Sequence, residues 1–161
     1  MVSLSLTPQE EKQILYNLYS LYLHDLSSFT NDLDISENGS FAYDSFDLIW
    51  ETDGLAPYFL KDSEKIVGFL LLLERPFLKK EYDYSINDIF MLRKFRGKGI
   101  TILLLKELFK QKRGKYVVAE LAKNKPAVSF WRKAYQKLNI NFEEKKQVID
   151  NEICFVQTFR V

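Results

Sequence analysis

The chain has 161 residues, 47% hydrophobic, 28% charged and 15% aromatic. One domain usually takes about 100 to 200 residues, and an apolar fraction near half can fill a sizeable core, so disorder is excluded and a single domain over 1–161 is expected. With 23 Lys and Arg against 22 Asp and Glu, the net charge of +1 argues against a nucleic-acid binder that neutralises phosphates along a broad face.

The first predicted element is a helix over residues 8–26. Thr7 can cap it, Pro8 suits the first helical position, and Glu10 completes a capping box. Ile14, Leu18, Leu21, Tyr22 and Asp25 then fall on one face, apolar until its end. Residues 31–40 read as a loop with an Asn38-Gly39 turn, and residues 45–50 as a short helix. Residues 58–60 and 65–73 read as strands around a polar turn, and residues 82–92 as a longer strand rich in aromatic and β-branched residues. A second strong helix spans 98–112, with Gly114 placed for a left-handed end. Residues 116–121 form a strand, and Asn124 caps a helix carrying Ala127, Val128, Trp131, Ala134, Tyr135 and Leu138. Strands at 140–148 and 152–160 close the chain around an Asp150-Asn151 turn.

Cys154 is the only cysteine and His24 the only histidine, so neither an internal disulfide nor a Cys/His zinc site can form. No metal is expected. The N-terminus lacks the basic start and apolar stretch of a signal peptide, and no apolar run approaches the roughly 20 residues of a membrane span. A soluble, cytoplasmic protein with no membrane partner is expected. Charge is divided unevenly along the chain: residues 1–54 carry ten acids and one lysine, a net of −9, which leaves +10 on the remainder. Two differently charged ligand surfaces would account for such a division.

The stretch most informative about chemistry is Ile89 to Leu105. An apolar strand runs into Arg96-Gly97-Lys98-Gly99, and an amphipathic helix follows. Such a turn aims unpaired N–H groups and the positive end of the helix dipole at one point, where glycine admits an anion close to the backbone. Residues 93–115 carry nine basic side chains and one acid, a net of +8. A dinucleotide fingerprint fails because Ile102 stands where a third Gly or Ala is required, and a Walker A loop fails because Gly97 and Gly99 are too close together.

Arg96-Gly97-Lys98-Gly99-Ile100-Thr101 resembles the pyrophosphate loop of the GCN5-related N-acetyltransferase (GNAT) superfamily, Arg/Gln-x-x-Gly-x-Gly/Ala, departing only at Thr101. Asn124 to Trp131 is similar to that superfamily's Asn-x-x-Ala-x-x-Phe-Tyr, departing only at Trp131. The resemblance implies an α/β (α+β) fold with a mixed, mostly antiparallel sheet of about six or seven strands, about four flanking helices, and a splayed parallel pair that binds CoA. It implies acetyl-CoA as co-substrate, with its pyrophosphate on the N–H groups of Gly97, Lys98, Gly99, Ile100 and Thr101. By the same likeness Arg96 and Lys98 offer charge to the phosphates, Ile89, Phe90 and Met91 pair with the pantetheine arm, and Asn124 and Trp131 line the coenzyme. Transfer to an amine-bearing acceptor is then direct, without a covalent enzyme intermediate. The superfamily commonly dimerises, although no exposed stripe in this sequence argues for a homodimer.

In that superfamily the position of Trp131 usually holds a tyrosine, thought to stabilise the departing thiolate. An indole supplies no comparable acid. Tyr135, one turn further on, is either a replacement acid or a core aromatic. Asp88, on the strand before the loop, is either a general base in a partly buried cleft or a strand-end carboxylate; strict alternation places it with Ile86, Phe90 and Leu92. His24 is a base by residue type and a structural residue by position, and Glu81 and Asp83 read as loop charges. The acidic N-terminal segment is either an acceptor wall suited to a cationic amine or a solvated surface. An N-acetyltransferase, a CoA-binding module with little or no catalysis, and a soluble protein whose basic helix face binds an acidic partner or nucleic acid are the three functions the sequence leaves open.

Overall fold

The computed structural model describes residues 1–41 and 43–161. In chain order the elements are β1 (Val2–Leu6), α1 (Lys12–Ser27), α2 (Leu48–Glu51), β2 (Leu55–Asp62), β3 (Lys65–Glu74), β4 (Tyr84–Met91), α3 (Ile100–Gln111), β5 (Lys115–Leu121), α4 (Lys125–Lys137), β6 (Phe142–Ile149) and β7 (Glu152–Arg160). The strands form one seven-stranded sheet in the order β1-β2-β3-β4-β5-β7-β6. Only β4 and β5 pair in parallel; the other neighbours are antiparallel. The mixed sheet and flanking helices agree with the fold class read from the sequence.

A hydrophobic core on one face joins the sheet to α3 and α4 through Ile86, Met91, Leu104, Leu105, Leu108, Tyr116, Trp131 and Tyr135. The core on the opposite face joins it to α1 and α2 through Leu15, Tyr19, Phe46, Ile49, Phe59, Phe69, Leu71 and Phe90. Each strand of the centre is thus covered on both sides, which explains why β3 reads as a near-continuous apolar run rather than an alternating one. Among the described residues, no helix is long and apolar enough to cross a membrane.

The N-terminus departs from the sequence reading. Val2–Leu6 is a strand, paired with β2 from Val2 opposite Asp62 to Leu6 opposite Tyr58. Thr7 extends this pairing, its N–H donating to the Pro57 carbonyl at 2.9 Å, so its hydroxyl is buried without a partner and caps nothing. Pro8 is extended, residues 9–11 make a 3-10 turn, and α1 starts at Lys12 with no side-chain cap. The buried face of α1 is Leu15, Tyr19 and Leu23, while Ile14 and Leu21 are 43% and 48% exposed. Apolar residues surround this helix on most sides, so spacing alone did not choose the inward stripe.

Two backbone features shape the centre of the sheet. Leu71 pairs with Asp88 and Leu72 with Ile86, so Asn87 is an extra residue that bulges β4. The bulge resets the alternation: Ile86 joins the core under α3 and α4, whereas Phe90 joins the core under α1. Asp88 therefore does not share a face with Ile86. The second feature is the parallel pair itself, whose register covers only Tyr84 opposite Tyr116 and Ser85 opposite Val117. Beyond Ser85 the two strands separate.

Candidate active site

A cleft of about 680 Å3 opens where β4 and β5 part. Its walls are the C-terminal end of α1 (Tyr22 to Phe29), Ile89 to Met91 of β4, the turn before α3, the first turn of α3, and the inner side of α4 from Asn124 to Lys137. Elements from both faces of the sheet thus meet at one opening, beside the part of β4 that lies beyond its short register with β5.

The turn before α3 has the backbone of an anion cradle. Gly97 and Gly99 hold φ of 75° and 76°, in the left-handed region that side-chain-bearing residues avoid. A Cβ at either position would meet nothing within 4 Å, so the backbone angles, and not crowding, ask for glycine. Gly99 ends the turn without a side-chain cap, and the first helical bond runs from the Leu103 N–H to the Gly99 carbonyl at 3.2 Å. The N–H groups of the first turn point out at the dipole's positive end. Gly97, Gly99, Ile100 and Thr101 all line the cleft, while Lys98 lies outside its lining with its ammonium over the Phe95 ring.

Arg96 is held by three contacts: Nε donates to the Met91 carbonyl at 2.7 Å, Nη2 donates to Asp25 at 2.8 Å, and the guanidinium lies 5.4 Å from the centre of the Phe90 ring. Arg93 donates to the other oxygen of Asp25 at 3.0 Å. Partial burial pushes the Asp25 carboxyl up, but Arg96 and Arg93 outweigh it and hold it below the ordinary carboxylate range. Of the ten acids in residues 1–54, Asp25 alone lines the cleft, and it is neutralised there by two arginines.

On α4 the sequence-identified residues fall apart. Asn124 caps the helix, its Oδ1 accepting from the Ala127 N–H at 3.2 Å, and lines the cleft beside Ala127. Trp131 is 4% exposed and lines the cleft with its ring stacked on Tyr135. Tyr135 is 1% exposed and lies beneath, outside the lining. It is wedged among Phe142, Phe159 and Trp131, and its hydroxyl donates to Gln157 Oε1 at 3.3 Å. Burial, followed by the charges of Glu120 and Glu144, raises its pKa far above the ordinary phenol value. The structure brings Trp131 to the cleft and leaves Tyr135 in the core, because one full turn along α4 carries a side chain toward β7.

Asp88 is also set back from the lining. Its carboxylate accepts from Tyr19 at 2.9 Å, Tyr22 at 3.0 Å and Asn87 at 3.1 Å. Burial raises the Asp88 pKa, and the three donors lower it without cancelling that rise. Tyr19 is fully buried, but Tyr22 reaches the cleft wall, so Tyr22 alone of the two phenols connects Asp88 to the opening. The sequence reading missed Tyr22 in this role, as well as Asp25, Arg93, Lys133 and Lys137, which reach the cleft through the fold and carry no local motif. His24 lies at the cleft with its ring 6.2 Å from that of Phe41.

The same architecture occurs in solved acetyltransferases. A GNAT-family acetyltransferase from Streptococcus agalactiae superposes with a TM-score of 0.69 at 13% identity, over 99% of this chain and 95% of that one. An acetyltransferase from Thermus thermophilus gives 0.69 at 11% identity, over 100% and 97%. Arabidopsis thaliana NAA60, in a complex with acetyl-CoA, gives 0.61 at 12% identity, over 100% and 98%. No curated protein matches the chain in sequence. The profile of the acetyltransferase (GNAT) family matches residues 15–135, from the first turn of α1 to the inner side of α4 and so through part of every wall of the cleft, and the chain belongs to that family.

Proposed function

We propose that the protein is an acetyl-CoA-dependent N-acetyltransferase that moves an acetyl group directly to the primary amine of a small molecule or peptide. The observation that carries this reading is the uncapped start of α3 beneath Gly97 and Gly99, opening into the cleft between the separated strands. The site fits the coenzyme: the N–H groups of Gly97 to Thr101 suit a pyrophosphate, the free edge of β4 at Ile89 to Met91 suits an extended amide-bearing arm, and Asn124 and Trp131 wall the far side. A reducing cytoplasmic setting suits a chain whose one cysteine is unpaired.

The amine nitrogen attacks the thioester carbonyl, the C–S bond breaks, and the thiolate leaves. With a thiol pKa of about 8.5 the leaving group needs little protonation, so an indole at Trp131 is tolerable. The ammonium proton passes to the Tyr22 hydroxyl as that hydroxyl gives its own proton to Asp88. Tyr22→Phe should therefore lower kcat by roughly 10- to 100-fold, short of the 10² to 10⁴ typical of losing a general base outright, because Asp88 remains. Tyr19→Phe removes a donor to the same carboxylate but does not face the cleft, and should leave kcat within about threefold. Equal effects from the two variants would retire the relay.

A CoA-binding module without catalysis is the second reading, favoured by the absence of Tyr135 from the cleft lining. Thiol release from acetyl-CoA across a panel of polyamines, amino acids and short peptides separates the two, since a module releases no CoA above the hydrolysis background. In either case Tyr135→Phe should leave cleft chemistry unchanged and cost about 1 kcal/mol of stability through the lost bond to Gln157, read from the melting temperature.

A further inference from the structure

The triad Arg93–Asp25–Arg96 ties the end of α1 to the loop before α3, and it is built from charges that share one cleft. We propose that Asp25 is an internal anion that competes with the coenzyme's phosphates for Arg93 and Arg96, so that phosphate binding exchanges one anion for another and frees α1 from the loop. This deepens the acetyl-CoA reading and rests on it.

The alternative is that Asp25 organises the arginines for the coenzyme, and the contacts decide between the two. Arg96 is also held by its Nε bond to the Met91 carbonyl and its seat over Phe90, two contacts that do not involve Asp25. The Arg93 side chain is 77% exposed and is drawn toward α1 by Asp25, with no other partner among the hydrogen bonds of the described residues. The start of α3, which has no side-chain cap, lines the same cleft as both arginines, so a phosphate seated there would compete with Asp25 for their guanidiniums. Guanidinium binds carboxylate and phosphate through the same fork of donors, so one can replace the other without rebuilding the site. A carboxylate left beside a pyrophosphate is also a like charge that opposes binding.

Calorimetric titration of the whole chain and its Asp25→Asn variant with CoA, and separately with inorganic pyrophosphate, tests the proposal. Asp25→Asn should bind both ligands about 5-fold more tightly or better, the scale of one to two partly exposed ion pairs, and Arg93→Ala should bind them more weakly. The pairs are at the surface, so the variant is expected to fold, and a melting curve checks this. Unchanged or weaker binding by Asp25→Asn would overturn the exchange and make Asp25 an organiser. Binding of pyrophosphate without CoA would refute the coenzyme reading while still deciding the exchange on the pyrophosphate data, and binding of neither ligand would overturn both.

Discussion

Gly99→Glu is expected to abolish acetyl-CoA binding, whereas Gly99→Ala should weaken it only modestly. Both variants place a side chain on a residue at φ 76°, a conformation that costs an L-residue about 1–2 kcal/mol. Neither Cβ meets a neighbour within 4 Å, so the backbone cost is shared and crowding adds nothing. They differ in the carboxylate, which in Gly99→Glu enters the space in front of the α3 N–H groups and serves as the anion itself. Like charges brought together at a binding surface cost several kcal/mol, so a loss of at least roughly 10²-fold in affinity is expected from charge alone. Equal losses in the two variants would mean that the turn matters for its backbone and not for an anion.

Glu120→Gln is expected to stabilise the protein above neutral pH and to leave it nearly unchanged at pH 5. Glu120 lies on β5, 8% exposed; Oε1 accepts from Gln157 while Oε2 is buried without a partner. Burial, reinforced by the Glu144 charge and opposed by Gln157 and Arg132, pushes its pKa from 4.5 up to about 7. A carboxyl whose folded pKa exceeds its unfolded value favours the fold fully below the unfolded value, and this contribution is lost as pH rises through the folded one. Stability should therefore fall between about pH 4.5 and 7, by on the order of 3 kcal/mol in total. The glutamine side chain has nearly the same shape without the charge and should remove that slope. Melting curves at pH 5 and pH 8 check it: at pH 8 the variant should melt about 6–12 °C higher, and parallel pH profiles for the two proteins would contradict the account.

The parts of the site that were legible in the sequence are those in which local geometry and residue type coincide. Gly97 and Gly99 mark the turn before α3, where the structure adds that both are left-handed, and the Asn124 side chain caps α4 within its own first turn. The order of elements from β2 to β7 followed from periodicity and turn residues. What the sequence concealed depends on the sheet. The Asn87 bulge turns Asp88 toward α1, and no alternation rule anticipates where an extra residue enters a strand. The inward stripe of α1 is Leu15, Tyr19 and Leu23, and on this helix Tyr19 and Tyr22 reach Asp88, 69 and 66 residues away. The same distance hides Asp25, whose partners lie 68 and 71 residues on, so that an acidic N-terminal third became in the fold a single paired carboxylate at the cleft.

Val2–Leu6 was missed for a different reason. It is an edge strand of five residues whose alternation is too short to stand out, and its pairing with β2 supplies the evidence that local pattern lacks.

The proposed transfer requires acetyl-CoA to bind in the opening between β4 and β5. Calorimetric titration of the intact chain with acetyl-CoA tests it most directly: one molecule should bind per chain, and Gly99→Glu should remove the heat. Absence of binding by the unaltered protein at millimolar acetyl-CoA would contradict the account.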